Sequence, residues 1–138
     1  MEKRTPPKAA PQQSARRGLI LAPMKPVKFV ATSKRDLREM PKPVRATLGE
    51  ELQTVQFGGM PSDFKPMPSI GAGVYEIRCK DMFGAFRVVY VAKFDEAVYV
   101  LHAFQKKTQK TSPKDIALAA SRYRNLLEQR REANLSER

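Results

Sequence analysis

Two arginines and a run of lysines are the residues of this chain whose types and spacing could do chemistry. Arg78 and Arg87 sit in neighbouring strand-like stretches, and a third such stretch leads into Lys106, Lys107 and Lys110. Pairing the first two stretches through a two-residue turn sets Arg78 directly across from Arg87. Like charges in a cross-strand pair are destabilising, so the row reads as built for an anion. The alternative is that one arginine pairs with Glu76 or Asp81, or that both splay into water, where isolated charges contribute little.

The elements that must position these residues are three strands, Val74 to Lys80, Ala85 to Phe94 and Ala97 to Gln105, each rich in β-branched and aromatic residues. Asp81-Met82-Phe83-Gly84 is a turn with a mechanism, because an Asp side chain can bond the backbone ahead of it. Phe94-Asp95-Glu96-Ala97 is a weaker one. With two-residue turns, one face carries Tyr75 opposite Tyr90, Ile77 opposite Val88 and Cys79 opposite Phe86, then Tyr99, Leu101 and Ala103. That is a core face. The other has a row of Val74, Val91 and Val100, a row of Glu76, Val89 and His102, and a row of Arg78, Arg87 and Phe104.

Upstream, Lys25 to Thr32 is a short strand held to a sheet edge by Pro26. Ser33 and Asp36 make a capping-box-like helix start, with Leu37 and Met40 facing inward. After Met40-Pro41-Lys42-Pro43 a second helix shows one apolar stripe, Val44, Leu48, Leu52 and Val55, and ends at Gly58-Gly59. Gly49 within it suggests close helix packing. Met60 to Gly73, with three prolines, reads as a loop. Ser112-Pro113-Lys114-Asp115 opens a last helix that buries Ile116, Ala119, Ala120, Tyr123 and Leu127. Arg122, Arg124, Arg130 and Arg131 fall on its solvated face. The expected fold is α+β: a small antiparallel sheet with the two N-terminal helices and the C-terminal helix packed on one face, and the arginine face open.

At 138 residues with a net charge of +12, the chain holds one domain and favours a polyanionic partner, nucleic acid or an anionic surface. Residues 1–23 read as a disordered basic extension, 24–131 as the domain and 132–138 as a polar tail. The single cysteine, Cys79, falls on the core face, and one cysteine with one histidine excludes a disulfide framework and a His- or Cys-rich metal cluster. The longest apolar run is too short to span a membrane. Arg16-Arg17 followed by Gly-Leu-Ile-Leu-Ala stops at Pro23, short of an export signal. A reducing cytoplasm is the expected setting, with no cofactor and no metal.

The segments GVYEIRCKD, FRVVYVAKF and VYVLHAFQKKTQKTSPKDIALAASRYRNLL resemble the RelE/ParE toxin superfamily, in its phage-derived HigB-like branch. The resemblance covers about Lys25 to Leu127. It implies a toxin of a toxin–antitoxin pair that enters the ribosomal A site and cleaves mRNA, with RNA held on a concave sheet face. It also implies an antitoxin partner, expected to be a helix-turn-helix protein.

Metal-free RNA cleavage uses the substrate's own 2′-hydroxyl, which attacks the adjacent phosphorus and expels the 5′-oxygen. The protein must hold that geometry and stabilise extra negative charge. Arg78 and Arg87 suit the second task. His102 is the side chain whose ordinary pKa fits proton transfer near neutrality, although a lone histidine beside valines is often a hydrogen-bonded wall residue. Lys106 or Lys107, lowered in pKa by neighbouring cations, could serve instead. Phe104 could stack on a base or shield the sheet edge, and Lys110 and Lys80 suit contacts to the phosphate backbone. Two other readings remain at this point: a ParE-like gyrase inhibitor, and a non-catalytic RNA- or ribosome-binding module.

Overall fold

A computed structural model of the protein describes residues 24–136; the expected basic extension, 1–23, lies outside the described residues. The elements in order are β1 Val27–Phe29, α1 Ser33–Arg38, α2 Lys42–Gln56, β2 Phe64–Pro66, β3 Val74–Asp81, β4 Gly84–Val91, β5 Val98–Lys106 and α3 Pro113–Ser136. The strands form one sheet in the order β1-β5-β4-β3-β2. Its pairs are antiparallel except β1, which lies parallel to β5. The α+β expectation stands.

The β3–β4 hairpin has the register the sequence implies, from Val74 opposite Val91 through Arg78 opposite Arg87 to Asp81 opposite Gly84. Asp81 Oδ1 accepts the Phe83 N–H at 2.8 Å, the bond expected of a turn aspartate. Gly84 takes a φ of 128°, open to glycine at little cost. The β4–β5 hairpin also begins as expected, from Ala85 opposite Lys106 to Val89 opposite His102, and then slips. Tyr90 faces Val100 and Val91 faces Tyr99, so Leu101 is the extra residue of a β-bulge. Everything in β5 before Leu101 is thereby shifted by one position. Val98 and Val100, not Tyr99 and Leu101, join Ile77 and Tyr90 in the first core. Tyr99 and Leu101 turn to the arginine face.

This shift divides the helices between two faces, where the sequence placed all three on one. The α2 stripe of Val44, Leu48, Leu52 and Val55, with Met40 and Leu37, packs on Ile77, Cys79, Phe86, Val88 and Tyr90. On the opposite face Ala119, Tyr123 and Leu126 of α3 pack on Val74, Val89, Val91, Tyr99 and Leu101. Burying an apolar side chain of this size stabilises by about 1.5–3 kcal/mol. The two residues redirected by the bulge therefore give α3 enough apolar bed to dock there. The arginine face is open only at its far end, beyond the row of Glu76, Val89 and His102.

Polar contacts fix the helix on that bed. Arg122, expected on the solvated face, is buried, and its guanidinium donates to the Leu101 carbonyl and to Thr32 Oγ1, each at 2.9 Å. Arg130 donates to both carboxylate oxygens of Glu96. A Cβ on Gly71 would stand 2.2 Å from the Tyr123 ring, so this close approach requires glycine. The helix runs to Ser136 and does not fade into a tail near Arg131.

Three local expectations change as well. Ser33 lies inside α1, after the N-cap Thr32, and its hydroxyl donates to the Val100 carbonyl. Among the described residues nothing lies within 4 Å of a would-be Cβ on Gly49, so it marks no close packing there. Within the expected loop, Phe64–Pro66 pairs with Tyr75–Ile77 as a short, exposed edge strand. A three-residue edge carrying Lys65 and Pro66 resists further strand pairing.

Candidate functional site

Side chains on one face of β3, β4 and β5 form three rows at the uncovered end. The outermost aligns Lys80, Ala85 and Lys106, the next Arg78, Arg87 and Phe104, and the innermost Glu76, Val89 and His102. β2 extends the innermost row with Lys65, directly opposite Glu76.

The two arginines differ sharply. Arg87 is 5% exposed, with its Nε 3.5 Å from Glu76 Oε1 and its Nη1 donating to the Phe86 carbonyl at 2.9 Å. Burial pulls its pKa below the ordinary guanidinium value, with Arg78 adding to the effect and Glu76 opposing it. The side chain of Arg78 is 42% exposed, and its Nε reaches Asp63 Oδ1 only at 3.9 Å. The like-charged pair is thus tolerated because each arginine has an acid beside it, and Arg78 is the one presented to solvent.

Lys106 stands in the row just outside theirs, on β5. Its ammonium is held below the ordinary lysine value by partial burial first and then by Arg87, with Arg78 and Lys65 adding to the effect and Glu76 opposing it. Lys107 is drawn aside, its Nζ donating to Gln105 Oε1 at 3.0 Å. Lys110 and Lys80 are exposed, the first on the loop after β5 and the second at the end of β3.

His102 is 5% exposed and is engaged inward. Its Nε2 donates to Asp115 Oδ1 at 2.7 Å, its Nδ1 is buried without a partner among the described residues, and its ring stacks on Phe104 with centroids 4.5 Å apart. Asp115 is in turn fixed by Ser112, whose hydroxyl donates to Oδ2 at 2.7 Å and accepts the Asp115 N–H at 3.1 Å. The capping box read at the start of the last helix is therefore also what ties α3 to the histidine. Phe104 is half-buried, covered by His102 on one side.

Beside these rows a cleft of about 570 Å³ opens where β1 stops pairing with β5. Asp36, Glu39, Phe83, Phe86, Phe104 and Gln105 are among its lining. Among the described residues no three His, Cys, Asp or Glu side chains come together to hold a metal ion. No described helix is long and apolar enough to cross a membrane.

Residues 35–124, which include every row described above, match the family described as phage-derived Gp49-like protein. The chain belongs to this Gp49-like family. The segments GVYEIRCKD, FRVVYVAKF and LHAFQKKTQKT, which carry the resemblance to RelE/HigB-type toxins, all fall within the matched span. One chain of the toxin–antitoxin complex RelBE2 from Mycobacterium tuberculosis is similar over 60% of this chain and 99% of its own, at 23% identity and a TM-score of 0.41. No curated protein matches the chain.

In this Gp49-like chain four site neighbours escaped the sequence reading. Lys65 and Asp63 lie in a stretch punctuated by prolines, and nothing local marks their pairing with β3. Asp115 was legible as a helix-start residue but not as the partner of His102. Thr111, whose hydroxyl donates to Glu76 Oε2 at 2.7 Å, carries no signal of its own, since that contact joins residues far apart in the chain.

Proposed function

We propose that this Gp49-like toxin acts in the cytoplasm as a metal-independent, ribosome-dependent mRNA endonuclease. The observation that carries the reading is the convergence of Arg78, Arg87 and Lys106 on one sheet end, where burial first and then the arginines hold the lysine's pKa down. A phosphodiester set there meets the exposed Arg78 guanidinium and one ammonium that more readily gives up its proton, with the Arg87 guanidinium buried close beneath.

In the reaction the RNA 2′-hydroxyl attacks the adjacent phosphorus, a cyclic phosphodiester forms, and the 5′-oxygen leaves. Arg78 contacts the non-bridging oxygens, and Arg87, oriented from below by Glu76, adds its charge to the same centre. Preorganised cations of this kind are worth about 10²–10³ in rate each. Lys106 gives a proton to the departing 5′-oxygen, the proton of the attacking 2′-hydroxyl passes to solvent water, and the lysine amine takes a proton back from solvent. His102, turned inward to Asp115, supports the wall on which Phe104 stands, and Phe104 offers its free side to a base. Lys80, Lys107 and Lys110 hold the backbone on either side of the scissile bond. A cognate antitoxin, of helix-turn-helix type, blocks this face or the docking of the toxin on the ribosome.

Primer extension on a defined mRNA in a purified translation system tests the reading, with wild type beside Arg78→Ala and Lys106→Met. Cuts at A-site codons that need ribosomes and fall at least tenfold in either variant support it. An intact message with translation blocked would replace it by a binding module, and an intact message with normal translation would redirect attention to gyrase.

A further inference from the structure

A buried carboxylate is an odd component for a face that is to receive a polyanion. Glu76 is 2% exposed and stands in the row beneath the two arginines. Burying a carboxylate against a guanidinium is often no more stabilising than apolar packing of the same volume, so stability alone does not account for it. Its two oxygens go to different elements: Oε1 lies 3.5 Å from Arg87 Nε, and Oε2 accepts the Thr111 hydroxyl at 2.7 Å. Thr111 ends the basic loop that follows β5. Four residues on, Asp115 accepts from His102, which occupies the same row as Glu76, two strands away.

The segment Thr111–Asp115 is therefore tied down at both ends of a single row, by Glu76 on β3 and by His102 on β5. It crosses the sheet there as a strap, with the α3-covered core on one side and the cationic rows on the other. We infer that Glu76 and Thr111 are positioning residues: the strap fixes where the loop leaves the sheet, and so holds the loop's Lys107 and Lys110 in place for the RNA backbone. The inference rests on the nuclease reading for its substrate, but the order of the loop can be measured without it.

The strap has a distinct kinetic signature. Thr111→Val keeps the side chain's shape and leaves the Glu76–Arg87 pair in place, so only the loop is freed. Lys107 and Lys110 hold ground state and transition state alike, and losing their placement raises KM while leaving kcat nearly unchanged. Glu76→Gln also disturbs Arg87, and lowers kcat as well. The first measurement is hydrogen exchange, in the free protein, of the Asp115 and Ile116 amides, which bond back to Ser112 at the end of the strap. A hydrogen bond to a charged acceptor predicts roughly tenfold or faster exchange in Thr111→Val, with Thr111→Ser restored to wild type.

The second measurement is ribosome-dependent cleavage, where Thr111→Val should show KM raised by about tenfold with kcat within about twofold. Unchanged exchange in Thr111→Val, or Thr111→Ser behaving like valine, overturns the strap whatever the nuclease result. Faster exchange with unaltered KM overturns its role in holding RNA. If the wild type leaves mRNA intact, the nuclease reading fails, and with it the assignment of RNA to the strap, while exchange alone decides whether the strap orders the loop.

Discussion

Replacing the two facing arginines one at a time should separate what each does for the fold from what each does for RNA. Arg87→Met removes the cation beside Glu76 and leaves a 2% exposed carboxylate without its counter-charge. Breaking a buried pair by removing one partner costs about 3–5 kcal/mol. For a domain of this size that is a loss in Tm on the order of 15 °C. The Arg78 pair with Asp63 spans 3.9 Å between side chains 42% and 65% exposed. Exposed pairs of that kind are worth about 0–1 kcal/mol, so Arg78→Met should unfold close to wild type.

Adding Glu76→Gln to Arg87→Met removes the stranded charge and should recover about half of the loss or more. Urea unfolding followed by circular dichroism at neutral pH gives all four stabilities. Equal destabilisation by the two single arginine variants, or a double variant no better than Arg87→Met, would refute this account of the pair. If it holds, Arg78 is the position at which lost cleavage reports on chemistry, because the protein stays folded.

Three further outcomes follow from the same structure. Arg130, ahead of the Tyr99 hydroxyl, holds the Glu96 carboxyl down to about 2 from an ordinary 4.5. A depressed carboxylate contributes fully above its unfolded value and loses that contribution as pH falls toward the folded one. Glu96→Gln should therefore flatten the stability–pH curve between pH 4.5 and 2, by about 1 kcal/mol or less for so exposed a pair, as thermal melts across that range would show. Gly49→Ala in the interior of α2, where a Cβ meets nothing, should stabilise the protein by about 0.5–1 kcal/mol in urea titrations. Arg122→Met strips the donors from the Leu101 carbonyl and Thr32 and should cost about 2–3 kcal/mol, against about 1 or less for Arg130→Met measured the same way.

Most of the sheet was legible because its information is local. Alternation set the strands, Asp81 and Gly84 set the first turn, and the Arg78–Arg87 pairing followed with no knowledge of the rest. The α2 stripe and the Ser112–Asp115 helix start were equally plain. What escaped depends on contacts between distant segments. A bulge leaves the composition of a strand unchanged, so Leu101 looked like any other alternating residue. Arg122 looked solvated because its partners, Thr32 and the Leu101 carbonyl, are brought to it by the fold. The candidate site shows the same division. Arg78, Arg87 and Lys106 could be named from strand pairing, whereas the supporting acids at Asp63 and Asp115, and the Thr111 tether, needed the third dimension.

The extra residue at Leu101 also makes β5 sensitive to length in an uneven way. Val98–Val100 and His102–Lys106 are each in step with β4 but out of step with each other, so the strand changes parity once along its course. Adding or removing a residue on either side of that point would flip one block, exchanging Val98 and Val100 for Tyr99, or Arg87's neighbour Phe104 for Gln105. Removing Leu101 itself would flip neither, since His102 still meets Val89 and Val100 still meets Tyr90. It is the one place in the strand where a deletion spares both the core alternation and the cationic rows, at the expense of a single side chain on which α3 rests and the carbonyl that Arg122 holds.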